Sequence, residues 1–153
     1  ADAASIEQFR VLIRALCAEH GGEAIAEEMS KFALEKHGDS ESVAQKVAAE
    51  LGVRHQLTDP SPEVRKQLGI RKENDIRLDG LLGDWDSDRI ETEVRQSHVM
   101  RERYWLKQLY ALDAWPVVFV CGANHSSPLS VLLRESGTEV TVAFTDWEPN
   151  LTF

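Results

Sequence analysis

Hydrophobic residues recur along this chain with two periods, and the points where one period gives way to the other mark its elements. Ile6, Phe9, Leu12, Ile13 and Leu16 fall three and four apart, behind Ser5-Ile6-Glu7-Gln8, which has the form of a capping box. The spacing predicts a helix with one buried stripe, ended by Gly21-Gly22. Glu23 to Glu28 is too short and too abruptly bounded for a helix of its own, and it reads as a buried strand ending in carboxylates. A short helix is expected within Phe32 to Lys36, and a longer one over Ser42 to Leu51 with its stop at Gly52. Val53, His55 and Leu57 then alternate as in a strand, before a turn at Asp59-Pro60.

Pro62 to Leu68 predicts a short helix, whereas Arg71 to Asp88 is polar, glycine-spaced and without a stable period, so it reads as a long loop or lid. The longest helix is expected from about Asp88 to Leu112. Trp115-Pro116 closes it ahead of Val117-Val118-Phe119-Val120-Cys121, the clearest buried strand in the chain. Ser127-Pro128 supplies the N-cap and N1 residues of another helix, Leu129 to Leu133 its buried side and Gly137 its stop, with a last strand at Val140 to Phe144. This alternation of helix and strand predicts the α/β class: one domain over residues 1–153, three-layer, with a mostly parallel sheet of about four strands and helices on both faces.

Composition narrows the function. The chain has 153 residues, 42% of them hydrophobic and 28% charged, enough for one real core and against disorder. No stretch approaches the roughly 18 unbroken apolar residues of a membrane span, so no membrane partner is expected. Lys and Arg number 17 against 26 Asp and Glu, and the net charge of −9 repels phosphate backbones, which excludes nucleic acid as the expected partner. Cys17 and Cys121 lie far apart in helix-like and strand-like contexts, so they form no secreted disulfide framework and fit a reducing cytoplasm.

In open α/β sheets ligands bind outside the carboxyl ends of the strands, and the residues at each expected strand end are polar. Glu27 and Glu28 follow the first strand, Asp59 the second, Gly122-Ala123-Asn124-His125 the third and Asp146 the fourth. On the long helix, Ile90, Val94, His98, Arg101, Trp105, Leu109 and Leu112 form one continuous face in which His98 and Arg101 replace hydrophobes. A buried Arg needs a partner, and Glu27, Glu28 or Asp59 would supply the carboxylate. His125 sits between a buried strand and a helix start, where free N–H groups favour an anion or oxyanion. The plainer alternative makes Arg101 a core ion pair, His98 a satisfied core imidazole and His125 a turn residue. Asp84-x-Asp86-x-Asp88 imitates a calcium loop, but Arg89 and Arg95 stand where its Gly and Glu belong. There is no dinucleotide or Walker glycine motif, and no CxxC pair for zinc.

From His98 to Val142 the chain resembles the C-terminal part of the erythromycin-esterase-like and TraB/ChaN-like superfamily. The residues that carry the likeness are Arg101-Glu102-Arg103 on a helix, a buried strand, Gly122-Ala123-Asn124-His125, and a downstream Gly137-Thr-Glu-Val. Ile25-Ala26-Glu27-Glu28 is similar to the Glu-terminated strand nearer the front of those proteins. The resemblance implies a hydrolase of ester or amide bonds acting on a small molecule or peptide. It implies His125 as general base or metal ligand, Glu28 or Glu27 as second base or ligand, and Arg101 as a clamp for substrate charge. The expected catalytic set is therefore His125, Glu28 and Arg101, with His98, Asn124 and Asp59 binding substrate. Glu27 and His125 would hold a divalent Mn, Zn, Fe or Co where a metal is used; otherwise His125 is the base and the following helix start the oxyanion donor. The family pattern also has a first strand ending in a His-containing motif, whereas only Ala1 to Ala4 precede the first helix here. The expectation is that this strand lies upstream or that half of the site is lost, and an uncovered sheet edge favours a homodimer. The alternative function is a non-catalytic α/β module that binds a small anionic ligand, or a partner protein through Trp85, Trp105, Trp115 or Trp147.

Overall fold

Helix α1 (Ala3–His20) is capped three residues before the expected Ser5, by Asp2, whose Oδ1 accepts from the Ser5 N–H at 2.8 Å. It ends on Gly21, whose φ of +62° is a left-handed conformation that glycine adopts without a Cβ penalty. In this computed structural model, which describes residues 2–149, β1 (Ala24–Glu27) follows, then α2 (Lys31–Lys36), α3 (Val43–Leu51) and β2 (Arg54–Leu57). Ser30 and Ser42 cap the two helices through their side chains. After β2 come α4 (Pro62–Leu68), α5 (Glu73–Leu82), α6 (Ser87–Leu112), β3 (Val117–Val120) and α7 (Ala123–Glu135).

The protein is mixed α/β, with a three-stranded sheet in the order β2-β1-β3 and both pairings parallel. Ile25 stands opposite His55 on one neighbour and Val118 on the other. Adjacent strand residues point to opposite faces, and β1 divides the core accordingly. Ile25 packs with Ile13 and Cys17 of α1 and with Ala44, Val47 and Ala48 of α3. Ala26 packs with Trp105 and Leu109 of α6 and Leu129 and Leu133 of α7. The small Ala26 leaves room for the Trp105 indole, which is fully buried.

Three expectations fail. Arg71 to Asp88 is no loop: it contains α5, whose buried residues are only Ile76 and Gly80. So narrow an apolar face gives no period in sequence, and tertiary contacts with α6 supply the stability instead, among them Arg77 Nη1 to Glu91 Oε1 at 2.7 Å. Helix α7 begins at Ala123, four residues before the expected Ser127, and accommodates Pro128 inside its length. The fourth strand does not form among the described residues. Val140 packs on the Trp105 cluster and its carbonyl accepts from Arg134 Nη2 at 3.1 Å, while Val142 and Phe144 are exposed and pair with no strand. Among the described residues no helix is long and apolar enough to cross a membrane.

Candidate active site

Beyond the carboxyl ends of β1 and β3, which lie side by side, opens a cleft of about 400 Å³. From β1 the chain turns away through α2 and α3 to β2 on one side, while β3 pairs on the other and leads into α7. Such divergence of neighbouring connections is what opens ligand crevices in parallel sheets. Glu28 reaches the cleft from the end of β1, His98 and Arg101 from α6, and Asn124 and His125 from the first turn of α7.

Arg101 organises the cleft floor. Its Nη2 lies 2.7 Å from Glu28 Oε1 and its Nε 2.6 Å from Asp59 Oδ1, and the guanidinium sits 4.9 Å from the Trp105 ring centre. Asp59 also accepts from Trp105 Nε1 at 3.1 Å and from Arg65 Nη2. Burial alone would raise the Asp59 carboxyl, but the Arg101 hydrogen bond and charge, with Arg65 behind them, outweigh it and hold the group below its ordinary value. Glu28 spends its second oxygen on α7, with Oε2 accepting from the Gly122 N–H at 2.7 Å. Both its oxygens are engaged, so Glu28 ties α6 to the start of α7 and is not poised as a base.

His125 is the buried imidazole of the site. Its Nδ1 lies 2.7 Å from Glu102 Oε1, and the ring meets Trp105 and His98 edgewise at centroid distances of 4.9 and 4.7 Å. The Glu102 carboxylate, buried and next to Nδ1, favours the tautomer that carries its proton there. Nε2 then keeps its lone pair, and it has no hydrogen-bond partner among the described residues. His98 stands at the cleft wall 3.7 Å from Glu73. Burial, then the neighbouring His125, push the His98 imidazole below its ordinary value.

The expected residues are thus brought together in part. His125, Glu28, Arg101, His98 and Asn124 line one cleft. Asp59 lies behind it, holding Arg101 and Arg65 rather than facing substrate. Glu27 points to the other face of the sheet, where its Oε1 is 2.7 Å from His55 Nε2 and accepts from the Ser42 hydroxyl. A strand cannot aim successive side chains at one site, so Glu27 and His125 do not form the expected pair of metal ligands. No group of three or more His, Cys, Asp and Glu is arranged to hold a metal among the described residues. The donor chemistry points the same way: the carboxylates at the cleft are taken by arginine, and further cations line its walls, so the residues present do not fit a divalent ion.

The sequence pattern also marks Glu102, which the expected set omits. Val94, His98, Glu102 and Trp105 follow at steps of four, four and three, so Glu102 shares the buried stripe that runs through Arg101. Arg65, Arg71, Lys72 and Glu73 are likewise outside the expected set, and they line the cleft from α4 and from the start of α5. Nothing in their local spacing marks them. Cys121, one residue past β3, is a free thiol that burial, aided by Glu28 and Glu102, pushes up to about 12, so it is no nucleophile. The tryptophans expected as contacts for a partner have partners inside the chain: Trp85 lies under Arg89, Trp115 beside Tyr110 and Trp147 beside Phe9.

No protein-family model, no curated protein and no solved structure matches this chain.

Proposed function

We propose that the cleft is the active site of a hydrolase of ester or amide bonds, with His125 as general base and Glu102 as the residue that positions it. The strongest support is the Glu102–His125 pair: a buried carboxylate 2.7 Å from Nδ1, and an Nε2 without a partner on a cleft large enough for a small molecule. The likeness of Arg101-Glu102-Arg103 and Gly122-Ala123-Asn124-His125 to the erythromycin-esterase-like and TraB/ChaN-like pattern points to the same chemistry. The packing of α1 and α3 on one face of the sheet and of α6 and α7 on the other supports a three-layer arrangement with the cleft at the strand ends.

In this reading a water gives its proton to His125 Nε2 as its oxygen attacks the carbonyl carbon. The tetrahedral oxyanion develops against the first turn of α7, where the Ala123 and Asn124 N–H groups have no acceptor among the described residues and no side chain caps the helix. As the C–O or C–N bond breaks, the protonated ring returns the proton to the departing oxygen or nitrogen. Arg101 is held by Glu28 and Asp59, which leaves its Nη1 to bind substrate charge. A non-catalytic module that binds an anion is favoured by the cationic walls, but it has no need of the Glu102–His125 pair.

Hydrolysis of a panel of p-nitrophenyl esters and anilides by the wild type and by His125→Asn decides between them. The expected loss in the variant is about 100- to 10,000-fold. Equal rates in the two proteins, with both folded by circular dichroism, would remove the hydrolase reading.

A further inference from the structure

Cationic side chains outnumber carboxylates in the cleft of a chain whose net charge is −9. Arg65, Arg71, Lys72 and Arg101 line it, against the carboxylates of Glu28 and Glu73. Two of the four are held at the floor: Arg65 and Arg101 share Asp59, and Arg101, which also holds Glu28, keeps its Nη1 alone for substrate. The other two are available. No carboxylate pairs with Lys72 among the described residues, and Arg71 pairs only with Asp79, in a bridge that is open to solvent and therefore weak and exchangeable.

The segment that carries these two cations is fixed in place. Ser97, buried on α6 one turn before Arg101, accepts from the Arg71 N–H at 2.9 Å and donates to the Arg71 carbonyl at 2.7 Å. Such a two-point clamp holds the backbone of Arg71 in place before any ligand arrives, which lowers the ordering cost of binding. Helix α5 starts at this segment. Helices α1, α2, α3, α4 and α6 are capped by Asp2, Ser30, Ser42, Ser61 and Asp86. The two whose first turns line the cleft, α5 at Lys72 and α7 at Gly122, have no side-chain cap. Each of these helix starts has a carboxylate beside it, Glu28 at α7 and Glu73 at α5, so the positive character of the cleft rests on its side chains.

We propose that the cleft selects a small-molecule substrate carrying an oxyanion group, a carboxylate or a phosphate, which Arg71 and Lys72 bind while the scissile bond lies at His125. This deepens the hydrolase reading and rests on it for the position of the scissile bond. The group displaces Asp79 from Arg71 and gives Lys72 its counter-ion. Charge-assisted hydrogen bonds of this kind favour the charged substrate by about tenfold to a hundredfold.

The test compares p-nitrophenyl butyrate with mono-p-nitrophenyl glutarate, which ends in a carboxylate, in the wild type and in Arg71→Ala/Lys72→Ala. Thermal unfolding is followed in parallel with added glutarate or pyrophosphate, against potassium chloride at matched ionic strength. The expected results are a kcat/KM ratio of at least about tenfold in favour of the glutarate ester, a ratio near one in the double variant, and a rise in Tm with glutarate or pyrophosphate in the wild type alone. Glutarate and pyrophosphate separate a carboxylate site from a phosphate site. Equal handling of the two esters by the wild type, or an unchanged ratio in the variant, overturns the proposal. A Tm rise confined to the wild type with no hydrolysis of either ester keeps the anion site and removes the hydrolase. Hydrolysis that depends on His125, with neither ester preference nor Tm rise, does the reverse.

Discussion

Glu102 and His125 stand 23 residues apart in the chain, on different helices, and their side chains meet at 2.7 Å with both residues buried. A carboxylate in that position orients the ring and fixes its tautomer without touching substrate, as orienting carboxylates do for other imidazole bases. Glu102→Gln keeps the shape and removes the charge. Its expected effect is a fall in kcat of about tenfold to a hundredfold with KM little changed, because Glu102 is not among the residues that line the cleft. A loss confined to KM, or activity equal to the wild type, would show that Glu102 serves packing alone. Glu102→Asp, which retains the charge, recovers part of the rate.

Arg101 ties Asp59 and Glu28 into one half-buried group, and removing it leaves Glu28 without a cation and Asp59 with Arg65 alone. Arg101→Ala is expected to cost about 3–5 kcal/mol of stability, measured by urea unfolding. The acid limb follows from Asp59. Its pKa is held below the ordinary 3.8, so its contribution is fully present above that value and is lost as pH falls through the lower folded value. Wild-type stability should drop as pH goes from 4 to 2, and Asp59→Asn should drop less over the same interval. An unchanged acid limb in Asp59→Asn would place the linkage elsewhere.

Much of this arrangement is legible in the order of residues alone. His98 and Arg101 interrupt an apolar helix stripe, and Arg101 does find two of its three expected carboxylates, Glu28 and Asp59. The third, Glu27, is excluded by strand alternation, a rule that applies to the sequence directly: next to Glu28, it has to face the other side. Helix α5 and its cationic start are not legible in this way. Ile76 and Gly80 alone face the core there, so the stability of α5 comes from residues far along the chain, such as Glu91 and Ile90, and leaves no local period. The segment Val140 to Phe144 misleads in the opposite sense. Its residues suit a strand, but a ladder requires a paired neighbour, and none is formed.

His98 adds a second pH dependence in a different range. Burial and His125 lower its pKa from the ordinary 6.5, so the folded protein resists protonating it. The unfolded chain binds more protons over that interval, and stability therefore rises with pH up to about 6.5 and is lost as pH falls below it. Urea midpoints measured between pH 7.5 and pH 5 should decline in the wild type and decline less in His98→Gln. Parallel curves for the two proteins would remove His98 as the source.

Ser97 offers a way to separate the fixing of the cationic segment from its charge. Ser97→Ala removes the acceptor of the Arg71 N–H and the donor to its carbonyl, while every charge in the cleft stays. The stability cost is about 1–3 kcal/mol, that of losing two part-buried hydrogen bonds. If the clamp serves only folding, catalysis of both esters is unaffected apart from that cost. If it holds Arg71 and Lys72 ready for an oxyanion, KM for mono-p-nitrophenyl glutarate rises severalfold while kcat holds, since a group distant from the scissile bond binds ground state and transition state alike. Ser130→Ala is the control. That hydroxyl is also buried, but it bonds to the Ser126 carbonyl within α7, away from the cations, so its removal should lower stability and leave the glutarate KM where it was.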